Sequence, residues 1–129
     1  MIDTNIIISL AVFNSEIMKN LINNISDSHK LVLCSYIIDE LNEVLDKKFP
    51  DKHRAVDNFL LKIPYELEYT PKNIPNIEEI KLRDKKDKPI IYSAITSNVD
   101  IIITGDKDFD SIDIEKPEVM NASEFLDKY

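Results

Sequence analysis

Four acidic side chains stand where a sheet-and-helix protein places its chemistry. Asp3 ends a first strand, Glu40 sits early in the helix after a second strand, Asp87 opens the helix before a fourth, and Asp106 follows that fourth strand directly. In an open, mostly parallel sheet, the carboxyl ends of the strands and the starts of the following helices meet at one edge. Carboxylates gathered there repel one another, which raises their pKa values and costs stability. Such a cluster makes physical sense if a hard cation such as Mg²⁺ or Mn²⁺ neutralises it, because these ions take oxygen ligands and retain waters for a phosphate substrate. Zinc chemistry is disfavoured, since no His/Cys set has the required spacing. His29 falls in a turn and His53 on a polar helix face, where solvated roles suffice. A plainer reading of Asp106 is that it only caps a helical turn.

The stretch that positions the last acid is Asp100–Asp110, DIIITGDKDFD. Three isoleucines and a threonine mark a strand buried on both faces, and Gly105, the only glycine in the chain, ends it. Three carboxylates follow within five residues: Asp106, Asp108 and Asp110. Upstream, Met1–Asp3 is the tail of a strand, and the apolar run through Ile6, Ile7 and Ile8 fits a short, tightly packed helix or turn. Ser15 offers N-cap chemistry to a helix whose apolar face is Ile17, Met18, Leu21, Ile22 and Ile25. A strand over Lys30–Ser35 leads to a helix from Tyr36, with Ser35 as its N-cap and Ile37, Leu41, Val44 and Leu45 as its stripe. Glu40 is bracketed by that stripe and leans toward the interior, whereas Asp39 and Glu43 read as solvated.

Phe49-Pro50-Asp51 breaks this helix, and another carries Ala55, Val56, Phe59, Leu60 and Leu61 before Pro64. Tyr65–Tyr69 alternates as a half-exposed strand, and Thr70–Asn76 is a loop. The charged run from Ile80 to Lys88 then enters a helix with Pro89 in its first turn and Ile90, Ile91, Ala94 and Ile95 facing inward. Pro117–Met120 gives a weak last strand and Ala122–Leu126 a closing helix. This alternation implies an α/β protein with three layers, helices on both faces of a mostly parallel sheet. Residues 1–129 form one domain, long enough for a real core.

Composition narrows the function classes. With 24 acidic and 16 basic residues the net charge is −8, which opposes bulk attraction to nucleic acid but suits a basic partner segment. No apolar stretch approaches the ~20 residues of a membrane span. The N-terminus lacks the basic region and small-residue cleavage site of a signal peptide. The lone cysteine, Cys34, excludes an internal disulfide and reads as buried filler, in keeping with a reducing cytoplasm.

Taken together, Asp3-Thr4-Asn5, Ser35 with Glu40, Asp87 ahead of Pro89-Ile90-Ile91-Tyr92-Ser93-Ala94, and Thr104-Gly105-Asp106-Lys107-Asp108-Phe109 resemble the PIN domain, with the VapC-like toxin branch as the nearest kin. The likeness covers nearly the whole chain. It implies a central parallel sheet of about five strands and a metal-dependent ribonuclease site. Carried over by position, Asp3, Glu40, Asp87 and Asp106 match the family's acidic quartet. Asp108 matches a further acid of some members, and Asn5, Ser35 and Thr104 match polar positions that support the acids. Asp84 competes with Asp87, and Asp110 with Asp108, from less suitable positions.

The chemistry so implied uses Mg²⁺ or Mn²⁺ to bind the scissile phosphate of RNA and activate water for in-line attack, with Lys85, Lys86, Lys88 and Lys107 gripping the substrate. Partners implied are the RNA substrate, a small antitoxin protein and, as in many such families, a second copy in a homodimer. One departure stands out. Only two residues precede Asp3, fewer than family members usually have, so the first strand is expected to be stunted or to lack native residues. A non-catalytic PIN-like module that binds RNA or protein is the main alternative, and the intact acidic quartet opposes it. Receiver domains and haloacid-dehalogenase-type phosphatases fit less well, because Asp3 stands alone after its strand and D-x-D-x-T is absent.

Overall fold

The computed structural model of the chain describes residues 1–13, 15–72, 88–112 and 114–129. Six helices alternate with short strands: α1 (Thr4–Val12), α2 (Glu16–Ser28), β1 (Val32–Cys34), α3 (Ser35–Lys48), α4 (His53–Lys62), β2 (Glu66–Glu68), α5 (Lys88–Thr96), β3 (Ile101–Ile103), β4 (Glu118–Met120) and α6 (Ala122–Lys128). Two 3-10 turns, Pro50–Lys52 and Lys107–Ser111, complete the described elements. The α/β class and the order of elements follow the hydrophobic pattern. Each strand, however, is only three residues long, shorter than the apolar runs that contain it.

The strands pair in parallel, β1 with β2 and β3 with β4, as two separate two-stranded sheets. Met1–Asp3 joins β3 through one parallel bridge, Ile2 to Ile103. Its bonds are Ile103 N to the Met1 carbonyl at 2.9 Å and Asp3 N to the Ile103 carbonyl at 3.2 Å. The expected single sheet of about five strands is therefore not what the described hydrogen bonds form. Met1–Asp3 bonds through its backbone only to β3 among the described residues, so the β1–β2 and β3–β4 pairs stay separate.

The core is aliphatic, built from Ile2, Ile7, Leu21, Leu33, Ile37, Leu41, Leu45, Ile90, Ile91 and Ile102, with Phe109 and Phe125. Helix α1 packs on α3 and α4, α3 on α5, and α2 on α6. Cys34 is buried and free, as its surroundings suggest. Three apolar residues depart from expectation: Ile95 (44% exposed), Leu61 (85%) and Ile17 (37%) lie at the surface, each at the edge of its helix's apolar stripe. The α3 cap also differs. Cys34 takes the N-cap position without a side-chain bond, and Ser35 is the first helical residue. Gly105 ends β3 without a left-handed backbone, and a Cβ there would meet open space.

Two stability changes of opposite sign follow. Truncating the fully buried Ile91 to alanine is expected to lower the unfolding free energy by about 2–5 kcal/mol, whereas Gly105→Ala is expected to raise it by about 0.4–1 kcal/mol. Urea denaturation of the two variants beside the wild type checks both.

Candidate active site

Asp3 is the anchor of the site. Its backbone is extended (φ −83°, ψ 175°), and it caps α1, with Oδ1 accepting from Ile6 N at 3.0 Å. A carboxylate suits this place, since the first amides of a helix lack internal partners and carry partial positive charge. The other carboxylate oxygen, Oδ2, accepts a short hydrogen bond from the Thr104 hydroxyl. Thr104 lies immediately after β3, so the bond ties the two parallel segments across the carboxyl end of the sheet. Both side chains are buried.

The remaining acids are held in the same manner. Thr4, next to Asp3 and also buried, donates its hydroxyl proton to Glu40 Oε1 at 2.6 Å. Glu40 is half-buried in the second turn of α3, while Asp39 and Glu43 are exposed, as the stripe implied. Asp106 N donates to Thr104 Oγ1 at 3.1 Å, so the same threonine orients two acids. Asp106 Oδ1 then accepts from Asp108 N at 2.9 Å, capping the 3-10 turn. The plainer capping role is thus real, and it coexists with a place in the acidic group.

Electrostatics identify that group. Burial pushes the Asp3 carboxyl above its ordinary value of 3.8, the bonds from Thr104 and Ile6 pull the other way, and the charges of Asp106 and Glu40 push it up again. Asp3 therefore lies within reach of the charges of both Glu40 and Asp106. The ion pairs formed by the described residues lie elsewhere: Lys30–Glu66, His53–Asp46, Lys116–Asp100 and Lys128–Glu118. No cationic side chain among the described residues makes an ion pair with any of the three acids. Their donor chemistry, all hard carboxylate oxygens, fits a divalent cation such as Mg²⁺. Among the described residues, no group of three His, Cys, Asp or Glu is placed closely enough to hold a metal ion. The charges of Glu40 and Asp106 reach Asp3, yet the described residues form no complete ligand set.

The other sequence-derived residues divide. Asp108 is half-buried beside Asp106, Lys88 is the half-buried first residue of α5, and Lys107 and Asn5 are exposed. Lys107 and Asp106 line a cleft of ≈ 180 Å³ with Thr104, Gly105, Val119, Met120, Asn121 and Glu124. Asp87, its rival Asp84, and Lys85 and Lys86 lie outside the described residues. Ser35 does not hydrogen-bond any of the three acids; its Oγ accepts from Thr70 N at 2.9 Å. His29 packs its ring against Phe125 and Tyr129, and His53 bonds Asp46, so neither joins the acids. Thr4 is the residue the sequence reading passed over. Its adjacency to Asp3 was the available signal, but its bond spans 36 positions to Glu40.

A family model described as PIN domain matches residues 1–108. No curated protein and no solved structure matches the chain.

The raised Asp3 pKa has a definite sign. Between 3.8 and its raised value the folded state binds more protons than the unfolded one, so this group's contribution to stability falls as pH rises through that window. Asn keeps the capping oxygen without the charge. In metal-free buffer at neutral pH, Asp3→Asn is expected to melt above the wild type, the gap closing as pH falls toward 3.8. Calorimetry in EDTA across that range checks it, and a wild type that melts higher throughout would show that the hydrogen bonds outweigh burial.

Proposed function

The chain belongs to the PIN domain family, whose members are generally nucleases, and we propose that it is a metal-dependent endoribonuclease, the toxin of a VapC-like toxin–antitoxin pair. The observation that carries this reading is that the buried Asp3 feels the charges of Glu40 and Asp106 while no cationic side chain among the described residues makes an ion pair with any of the three. Carboxylates that repel one another without a cationic partner are a standing cost to the fold. A binding module gains nothing from that cost, whereas a site that recruits a cation does.

In this reading residues 1–129 act as one nuclease domain, and Asp3, Glu40 and Asp106, together with Asp87, hold Mg²⁺ or Mn²⁺. When bound, the ion supplies the charge that draws in a phosphodiester and stabilises the oxygen displaced from it. The chain's own groups do the rest. Thr104 and Thr4 fix the carboxylates through neutral hydroxyls, which orient without cancelling charge. Asp108, half-buried next to Asp106, takes a proton from the attacking water. Lys107, at the cleft beside Asp106, and Lys88, at the start of α5, contact the RNA backbone, aided by Lys85 and Lys86. The net charge of −8 supports local rather than global attraction of RNA, and it favours a basic antitoxin segment as inhibitor. Among the described residues no helix is long and apolar enough to cross a membrane; the reading places the activity in the cytoplasm, where an RNA substrate is present.

Incubation of a mixed pool of labelled single-stranded and structured RNAs with Mg²⁺, Mn²⁺ or EDTA tests the proposal. The wild type should cut only with metal, and Asp106→Asn should lose about 10²–10³-fold in rate. Equal cutting by both proteins would assign the activity to a contaminant. Absence of cutting together with absence of any metal-induced rise in melting temperature would favour the non-catalytic module.

A further inference from the structure

Three hydrogen bonds converge on Thr70, a residue whose sequence context is only a loop after β2. Its backbone N donates to Ser35 Oγ at 2.9 Å, and its hydroxyl oxygen accepts from Tyr36 N at 3.1 Å. The Ser93 hydroxyl stands 2.9 Å from Thr70 Oγ1 and 2.8 Å from the Pro89 carbonyl oxygen. Ser93 has a single proton and the carbonyl can only accept, so Ser93 donates to Pro89 and Thr70 donates to Ser93. The Thr70 hydroxyl thereby accepts from the first turn of α3 and donates to Ser93 in the second turn of α5.

The helices joined in this way matter to the acids. The first amides of α3 have no partner within the helix, and Cys34 at its N-cap supplies no side-chain bond. Thr70 caps that turn from 34 residues away. Glu40 lies four positions after Tyr36, one turn along the same face, so a shift of the first turn carries Glu40 with it. Ser93 is fully buried and fixes the opposite end of the tie on α5, which packs on α3. We infer that Thr70 is a positioning residue of the acidic site: through Tyr36 and Ser93 it locks the start of α3, and hence Glu40, against α5. The inference rests on the metal-binding reading above.

Its test compares Thr70→Val, Thr70→Ser and Ser93→Ala with the wild type by Mn²⁺ titration in a calorimeter, beside melting in EDTA and RNA cleavage kinetics. Valine keeps the shape and removes the hydroxyl, and serine restores it. Thr70→Val is expected to weaken Mn²⁺ binding about tenfold and Ser93→Ala to weaken it in the same direction, with Thr70→Ser close to the wild type. In cleavage the loss should fall on kcat at saturating RNA with little change in KM. Ser93→Ala cuts only the α5 arm, so it decides the matter if Thr70→Val does not fold. Variants that melt lower yet bind Mn²⁺ as the wild type does would overturn the inference, leaving Thr70 a purely structural tie. A wild type without Mn²⁺ affinity would overturn it too. If Mn²⁺ binding responds as expected while no protein cuts RNA, the positioning role stands and the ribonuclease proposal falls.

Discussion

A buried carboxylate at the start of a helix is the constraint around which this protein is arranged. Asp3 has little solvent to stabilise its charge, and two neighbouring acids raise the cost further. What makes the arrangement tolerable is a set of neutral donors: the Ile6 amide at the α1 N-terminus and the Thr104 hydroxyl beyond β3. The first is local to α1, but the second requires Met1–Asp3 to lie alongside β3, which the Ile2–Ile103 bridge secures. Helix start, strand pairing and charge are therefore one problem with one solution. A displacement of β3 would leave the Asp3 carboxylate buried with fewer partners, a more expensive state than either element misfolding alone.

Hydroxyls recur wherever an acid-bearing element must be fixed. Thr104 serves Asp3 and Asp106, Thr4 serves Glu40, and Thr70 with Ser93 ties the helix of Glu40 to α5. An arginine or lysine in these places would stabilise the carboxylates more strongly, but it would also neutralise them. The surface ion pairs of the described residues stand apart from the trio, at exposed positions where such pairs contribute little. The result is a fold that orients negative charge without spending it, consistent with membership of a nuclease family.

Much of this was legible in the residue pattern. The apolar β-branched run Ile101–Ile103, the buried stripe of α3 with Glu40 beside it, and the proline in the first turn of α5 all fold as their periodicity implies. The apolar runs overshoot β1, β2 and β3 at both ends and β4 only at its start, because an apolar run records burial while a strand also needs a partner's backbone in register. The expected continuous sheet fails for the same reason: nothing in the sequence of Met1–Asp3 states how many neighbours its few amides reach. Serine before an apolar helix usually caps it, but Ser35 is the first helical residue and its Oγ accepts from Thr70 N instead.

By itself the sequence determined the α/β class and the order of the described helices and strands, and it singled out Asp3, Glu40 and Asp106 as candidate acids, since hydrophobic period and acid placement are local properties. Tertiary structure decided which acids feel one another and what holds them. The Thr104–Asp3 bond links residues 101 positions apart, Thr4–Glu40 links residues 36 apart, and Tyr36–Thr70 residues 34 apart. Hydrogen bonds of that range exist only once α1, α3, α5 and β3 have docked, because a hydroxyl selects its partner by a few tenths of an ångström, a distance no residue spacing encodes.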